Sequence, residues 1–168
     1  MKVYTAPEAV PADLADEPAS VMLLGSIEQD KASKWQDQVI DALAGYPVAI
    51  FNPRRKSWDA SLKQSATDPV FSEQVNWELD QIWRSDITFM FLEPGTKSPI
   101  SLLELGFVAG RGLAEMFPVI VVCPDGFWRQ GNVDIVAERA GFLVCRSLKE
   151  GIHVLKETIS EYLQSWAH

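Results

Sequence analysis

The stretch Glu93-Pro94-Gly95-Thr96-Lys97-Ser98-Pro99-Ile100-Ser101-Leu102-Leu103-Glu104-Leu105-Gly106 sets a single carboxylate, Glu104, between two leucines at the start of an apolar run. Two roles fit it. Ser101 and Glu104 have the S-x-x-E spacing of a helix capping box, in which the glutamate only bonds the backbone N–H of Ser101. Ser147-Leu148-Lys149-Glu150 repeats that spacing where no chemistry is expected. The other role is that of a nucleophile: one turn into a helix and flanked by Leu103 and Leu105, the carboxylate is partly desolvated yet held ionised by the helix dipole. Two further segments carry polar groups. Gly25-Ser26-Ile27-Glu28 offers a glycine that lets backbone approach a ligand and free N–H groups that can face an oxygen. Asn52-Pro53-Arg54-Arg55-Lys56-Ser57-Trp58-Asp59 presents two guanidinium groups and an indole on a turn stiffened by proline. The plain alternatives are a structural turn for the first and a solvated basic loop for the second.

The elements that must position these residues alternate. Short β-rich runs recur at Ser20–Leu24, Val48–Phe51, Ile87–Leu92, Val119–Cys123 and Phe142–Cys145, each continuous, as in strands covered on both faces. Helical spacing links Trp35, Val39 and Leu43 before Gly45, then Phe71, Val75, Leu79 and Ile82. Further helices are expected over Leu102–Leu113, Val133–Ala140 and Leu148–Trp166, the last with Ile152, Leu155, Ile159 and Leu163 on one face. This alternation predicts an α/β fold of three layers, a doubly wound, five-stranded parallel sheet of flavodoxin-like order 2-1-3-4-5, with ligands bound beyond the carboxyl ends of the strands. The segments singled out above all directly follow strands. Residues 1–19, rich in Pro, Ala and acids, read as a tail or surface lead-in to one domain over residues 20–168.

Composition narrows the class. At 168 residues, 47% hydrophobic, the chain can bury one full core. A net charge of −8 without a basic run repels polyanions, so nucleic acid is not expected as a partner. Cys123 and Cys145 lie in apolar runs with no close second ligand, which suggests two core thiols of a cytoplasmic protein and calls for no metal or cofactor. No run reaches the ~20 apolar residues of a membrane span, and Met1–Ser20 holds acids and prolines where a signal peptide would be apolar.

The segments GSIEQDKASKWQ, FNPRRKSWD, QVNWELDQIWRSDITFMF, SPISLLELG and GNV together resemble the nucleoside 2-deoxyribosyltransferase family, in particular its bacterial and phage deoxyribosyltransferase-like branch, over about residues 20 to 146. The resemblance implies a flavodoxin-like fold and a double-displacement reaction on N-glycosides. It implies that Glu104, in its E-L-G motif, is the nucleophile, that Glu78 contacts the base, and that Ser98 contacts the sugar or its 5′ substituent. It further implies that Asn132 reaches the 5′-oxygen of a ligand in a neighbouring subunit, so that the protein is a homodimer or higher homo-oligomer with shared sites. Two departures stand out. Family members acting on 5′-monophosphates carry an arginine after the GSI segment where this chain has Glu28, and the aromatic residue usual in the first strand is replaced by Met22 and Leu23. Trp58, Phe127 or Trp128 are then the candidates for stacking on a base.

The chemistry implied is self-consistent. Breaking a C1′–N bond passes through an oxocarbenium-like state, which a carboxylate beneath C1′ can balance and then trap covalently. The departing base needs a proton from a second acid, for which Glu78 is the candidate, with a solvent-facing helix position as its bland alternative. A second base resolving the glycosyl-enzyme makes a transferase and water makes a hydrolase. A non-catalytic nucleotide-binding module on the same fold is the alternative from another class. Gly25, Ser26, Ile27, Asn52, Arg54, Arg55, Trp58 and Asp59 complete the expected substrate contacts.

Overall fold

The computed structural model describes residues 1–14, 16–28, 31–55, 63–112 and 117–165, with the side chains of 111 and 112 excepted. Among the described residues six strands and five helices alternate. They are β1 (Lys2–Thr5), β2 (Ala19–Gly25), α1 (Trp35–Ala42), β3 (Val48–Asn52), α2 (Pro69–Arg84), β4 (Ile87–Phe91), α3 (Pro99–Gly112), β5 (Val119–Val122), α4 (Gln130–Ala140), β6 (Leu143–Cys145) and α5 (Leu148–Ser165). All strands run parallel in the order β1-β3-β2-β4-β5-β6. Without β1 this is the 2-1-3-4-5 order expected for a doubly wound sheet, with β2 and β4 flanking the switch point.

The sheet has one strand more than expected. Residues Lys2–Thr5, expected in a surface lead-in, pair with β3 in the register Lys2↔Ala49 to Thr5↔Asn52. An edge strand of four residues leaves little signal, because only Tyr4 is buried and the prolines and acids that follow dominate the composition. The segment after β1 is tied to α2, where the Trp77 indole N–H donates to the Glu8 carbonyl at 2.8 Å and Arg84 donates to the carbonyls of Val10 and Pro11.

Strand alternation divides the apolar residues between two faces. Met22, Leu24, Phe51, Met90 and Val121 meet Trp77, Ile82, Leu105, Val108 and Val133 of α2, α3 and α4. Val21, Leu23, Ile50, Phe89 and Ile120 meet Trp35, Val39, Leu155 and Ile159 of α1 and α5. Cys123 belongs to the first cluster and Cys145 to the second, so the sheet lies between the two thiols. No described helix is long and apolar enough to cross a membrane.

The carboxyl end of β2 packs closely on β4. Gly25 has φ 135°, and a Cβ built there would lie 2.1 Å from the Phe91 carbonyl oxygen, so neither the conformation nor the space admits a side chain. Gly25→Ala is therefore expected to cost about 3 kcal/mol or more, through strain and displacement of β4. Urea denaturation of the purified variant checks this, and an unchanged midpoint would contradict the close packing of β2 on β4.

Candidate active site

The turn after β2 is fastened to the turn after β4 by hydroxyl groups. Ser26 Oγ lies 2.9 Å from Thr96 Oγ1 and 2.6 Å from Ser98 Oγ, and it accepts the Glu93 backbone N–H at 2.8 Å. All three hydroxyl residues are buried. Glu28 adds a second clamp: its Oε1 accepts the backbone N–H of Lys97 and, at 2.5 Å, that of Ser98. Glu28 and Ser98 are the two described non-glycine residues with positive φ, 42° and 45°. Strain of this kind persists only where surrounding bonds enforce it.

These clamps fix where α3 begins. Pro99 suits the first helical position, and the Ser98 carbonyl accepts the Leu102 N–H at 3.0 Å. Ser101 is then already inside the helix, so the capping box that the S-x-x-E spacing allows for Ser101 and Glu104 does not form. Among the described residues nothing donates a hydrogen bond to the Glu104 carboxyl. The same spacing does cap α5, where Ser147 Oγ accepts the Glu150 N–H at 3.2 Å and the Glu150 carboxylate accepts the Arg146 N–H at 2.7 Å.

Freed from capping, Glu104 lines an outer chamber of about 510 Å³ together with Gly25, Ile27, Glu28, Lys97 and Ser98. An inner chamber of about 210 Å³ adjoins it, walled by Arg54, Arg55, Phe71, Gln74 and Val75. Ile27, Pro53, Gln64, Glu78 and Ile100 border both. Glu104 thus faces only the outer chamber, whereas Glu78 stands where the two meet. The cleft lies beyond the carboxyl ends of β2, β3 and β4, as the fold requires.

The two carboxyls differ in their surroundings. Burial pushes Glu104 up from an ordinary carboxylate to about 8, and the charge of Glu78 adds to the rise. The helix dipole was expected to hold it ionised. Desolvation governs instead, at a carboxyl to which no described residue donates. Burial also raises Glu78, but a hydrogen bond from Gln74 Nε2 at 2.6 Å and the charge of Arg55 oppose that. The two sites are coupled, and the environment favours leaving the shared proton on Glu104 and the charge on Glu78.

The remaining expected contacts separate into lining and scaffolding. Gly25, Ile27, Arg54, Arg55 and Ser98 line the chambers. The Arg54 guanidinium is engaged in structure, donating to the Ser33 carbonyl at 2.6 Å, the Ala32 carbonyl at 3.2 Å and Gln36 Oε1 at 3.1 Å, so it bolts β3 to the start of α1. Ser26 lies beneath the chamber, and Asn52 Oδ1 accepts the Arg54 N–H at 3.0 Å to shape the turn. Trp58 and Asp59 fall outside the described residues. Asn132 is exposed in the third position of α4, not at its cap, beside Leu102, Leu105 and Arg129 on a separate shallow pocket. Phe127 is buried in the core, while Trp128 is half exposed against Lys97 and Arg129, with cation-to-ring distances of 4.9 and 4.4 Å. Sequence reasoning overlooked Phe71, Gln74 and Val75. The helical spacing of Phe71 and Val75 carries no sign of this role; both are only partly buried and wall the inner chamber.

A family model described as nucleoside 2-deoxyribosyltransferase like matches residues 18–127, nearly two thirds of the chain and all of the segment that builds the cleft. The chain belongs to that family. Among solved structures, this deoxyribosyltransferase-like chain is similar to one titled "Crystal structure of conserved protein from Enterococcus faecalis V583", with a TM-score of 0.58 and 12% identity over 83% of this chain and 98% of the other. At that identity the likeness shows the fold alone. No curated protein matches the chain. Membership supports a related glycosyl-transfer role with a small nucleoside-type partner.

The electrostatics of this deoxyribosyltransferase-like site give a measurable signature. An unfolded Glu104 ionises near 4.5 and the folded one near 8. The stability carried by its protonated form is complete below the first value and is lost as pH rises through the second. Glu104→Gln removes that loss. Its melting temperature is expected to match wild type near pH 4 and to exceed it by about 3 °C or more near pH 8. Parallel melting curves at every pH would mean that Glu104 is solvated and ionised.

Proposed function

We propose that the protein cleaves the C1′–N bond of a nucleoside lying across both chambers, with Glu104 as nucleophile and Glu78 as the acid for the leaving base. The observation carrying this reading is the pair of carboxyls, one facing the outer chamber alone and without a hydrogen-bond donor among the described residues, the other at the border. With the sugar in the outer chamber, C1′ sits by Glu104. The carboxylate forms a bond to C1′ as the C1′–N bond breaks, and the base leaves with the bonding pair and a proton from Glu78. Water, or a second base, then attacks C1′ and gives its proton to Glu78, releasing Glu104. Ionised Glu104 is poorly stabilised by its surroundings and strongly stabilised by the cationic sugar, so the interaction is greatest in the transition state.

The clamp of Glu28 on the N–H groups of Lys97 and Ser98 bears on the substrate. It fills with a carboxylate the donors that a 5′-phosphate would seek, which favours a neutral 5′-hydroxyl beside Ser98. Incubation with a panel of nucleosides and 5′-monophosphates, with and without an acceptor base, tests the reading through release or exchange of base. Glu104→Ala is expected to lower turnover by at least about a thousandfold while the circular dichroism spectrum is unchanged. Near-normal turnover in the folded variant would refute the mechanism, and retained ligand binding without any wild-type turnover would favour the binding-module alternative.

The reading extends to assembly. Ile100, Leu103, Phe107 and Trp83 are large, exposed and adjacent, with Trp83 edge-on to Phe107 at 5.6 Å, which supports a homodimer that buries this face and carries Asn132 to the partner's cleft. Mixed Glu104→Ala and Asn132→Ala proteins are then expected to regain roughly a quarter of wild-type activity, since half the dimers are hybrids with one intact site. A monomer in sedimentation, or no rescue after verified subunit exchange, would remove Asn132 from the site.

A further inference from the structure

We propose that the inner chamber recognises the O6–N7 edge of a 6-oxopurine, with Arg55 donating to O6 and the Glu78 carboxyl to N7, so that the substrates are guanine- or hypoxanthine-type nucleosides. The inference rests on the N-glycosidic reading above and adds the class of base. Gln74 sets the polar wall. Its Nε2 donates to the Pro53 carbonyl at 2.9 Å and to Glu78 Oε1 at 2.6 Å, which turns its Oε1 toward Arg55 Nε. Both amide hydrogens are thereby used, and Gln74 has no donor left for a ligand.

Arg55 has donors to spare. Among the described residues its Nη2 is buried with no hydrogen-bond partner, and its ion pair with Glu73 Oε2 is long, at 3.8 Å. An unsatisfied buried donor costs about 1–3 kcal/mol, so Arg55 brings to the wall of this chamber a donor for which no described residue supplies an acceptor at hydrogen-bond distance. Much of the remaining lining is apolar, from Ile27, Phe71, Val75 and Ile100. A flat ring system with acceptors along one edge fits such a wall.

The order of the two polar groups selects the edge. Glu78 borders both chambers and Arg55 only the inner one. In a purine, N7 is two bonds from the glycosidic nitrogen and the substituent at C6 lies farther out, so N7 falls to Glu78 and the C6 substituent to Arg55. Along this edge a 6-oxopurine presents two acceptors, whereas a 6-aminopurine presents an acceptor and a donor. Its amine would meet the guanidinium donor to donor. Once the base is bound, the proton passes from Glu104 to Glu78, whose carboxyl burial already raises, and from there it is donated to N7 and delivered as the base departs.

The test is equilibrium binding of free bases to the full chain by titration calorimetry, using hypoxanthine, adenine, 7-deazahypoxanthine and uracil. Hypoxanthine is expected to bind at least about tenfold more tightly than adenine, and the 7-deaza analogue to lose at least about tenfold. Arg55→Met is expected to bring hypoxanthine and adenine to similar affinity. Equal or tighter binding of adenine, an unaffected 7-deaza analogue, or a preference for uracil overturns the proposal and leaves N-glycosidic cleavage standing. A hypoxanthine preference that persists in a folded Arg55→Met protein removes Arg55 from the site. The wild-type comparisons need no variant, so they decide even if Arg55→Met does not fold. Hypoxanthine preference together with no cleavage of any nucleoside would instead overturn the proposed reaction and keep the chamber's assignment.

Discussion

Three buried hydroxyls, on Ser26, Thr96 and Ser98, decide where the helix carrying Glu104 begins, and the cleft follows from that placement. Their hydrogen bonds join the ends of β2 and β4 across the switch point, a place where the doubly wound topology leaves a gap between helices on opposite faces. Glu28 tightens the same joint through the backbone of Lys97 and Ser98. Both Glu28 and Ser98 are held at positive φ, a cost that a joint of lesser use would shed. The outcome is a helix start shifted so that Glu104 misses the backbone it would otherwise cap and turns to the chamber.

A carboxyl so placed is destabilising in the resting protein. It has neither the solvation of an exposed glutamate nor the donors of a capping one, and it lies close enough to Glu78 for the two charges to oppose each other. Glu78, by contrast, is held by Gln74 and Arg55. Two like groups are thereby given unlike proton affinities, though in the resting protein in the sense opposite to that of nucleophile and acid in glycoside chemistry. Proton and charge must exchange between them for the proposed reaction, and the developing cation at C1′ supplies the field that draws the charge to Glu104.

The strand and helix order was legible because buried parallel strands are continuous apolar runs and the helices between them have strong periodicity. What the sequence left open was the exposed, short or two-sided part. β1 has one buried residue in four, too little pattern to separate from a tail. The S-x-x-E spacing at Ser101 and Ser147 is identical, yet one caps and the other does not, because the deciding bonds to Ser26 and Glu28 come from about 70 residues away. Long-range hydrogen bonds leave no local trace. Phe71 and Val75 share helical spacing with core residues, and periodicity cannot distinguish a face turned to the core from one turned to a chamber. The helix dipole argument for Glu104 was sound in sign but was outweighed by desolvation, which depends on packing that spacing alone does not reveal.

The fold and the proposed base preference rest on different parts of the chain. The resemblance to the Enterococcus faecalis structure, at 12% identity, extends over 83% of this chain and so concerns the arrangement of the sheet and helices. The outer chamber is made by the turns after β2 and β4, where a closely packed glycine and a hydroxyl joint leave little freedom. The inner chamber is made by Pro53 to Arg55 and one face of α2, a helix anchored by its Asp68 cap and by the bond from Trp77 to the Glu8 carbonyl. Arg55 bonds Gln74 of α2 and has no part in the hydroxyl joint that places Glu104. On the proposed reading the sugar chemistry is constrained by the fold, while the choice of base falls to a few side chains on α2 and the turn before it.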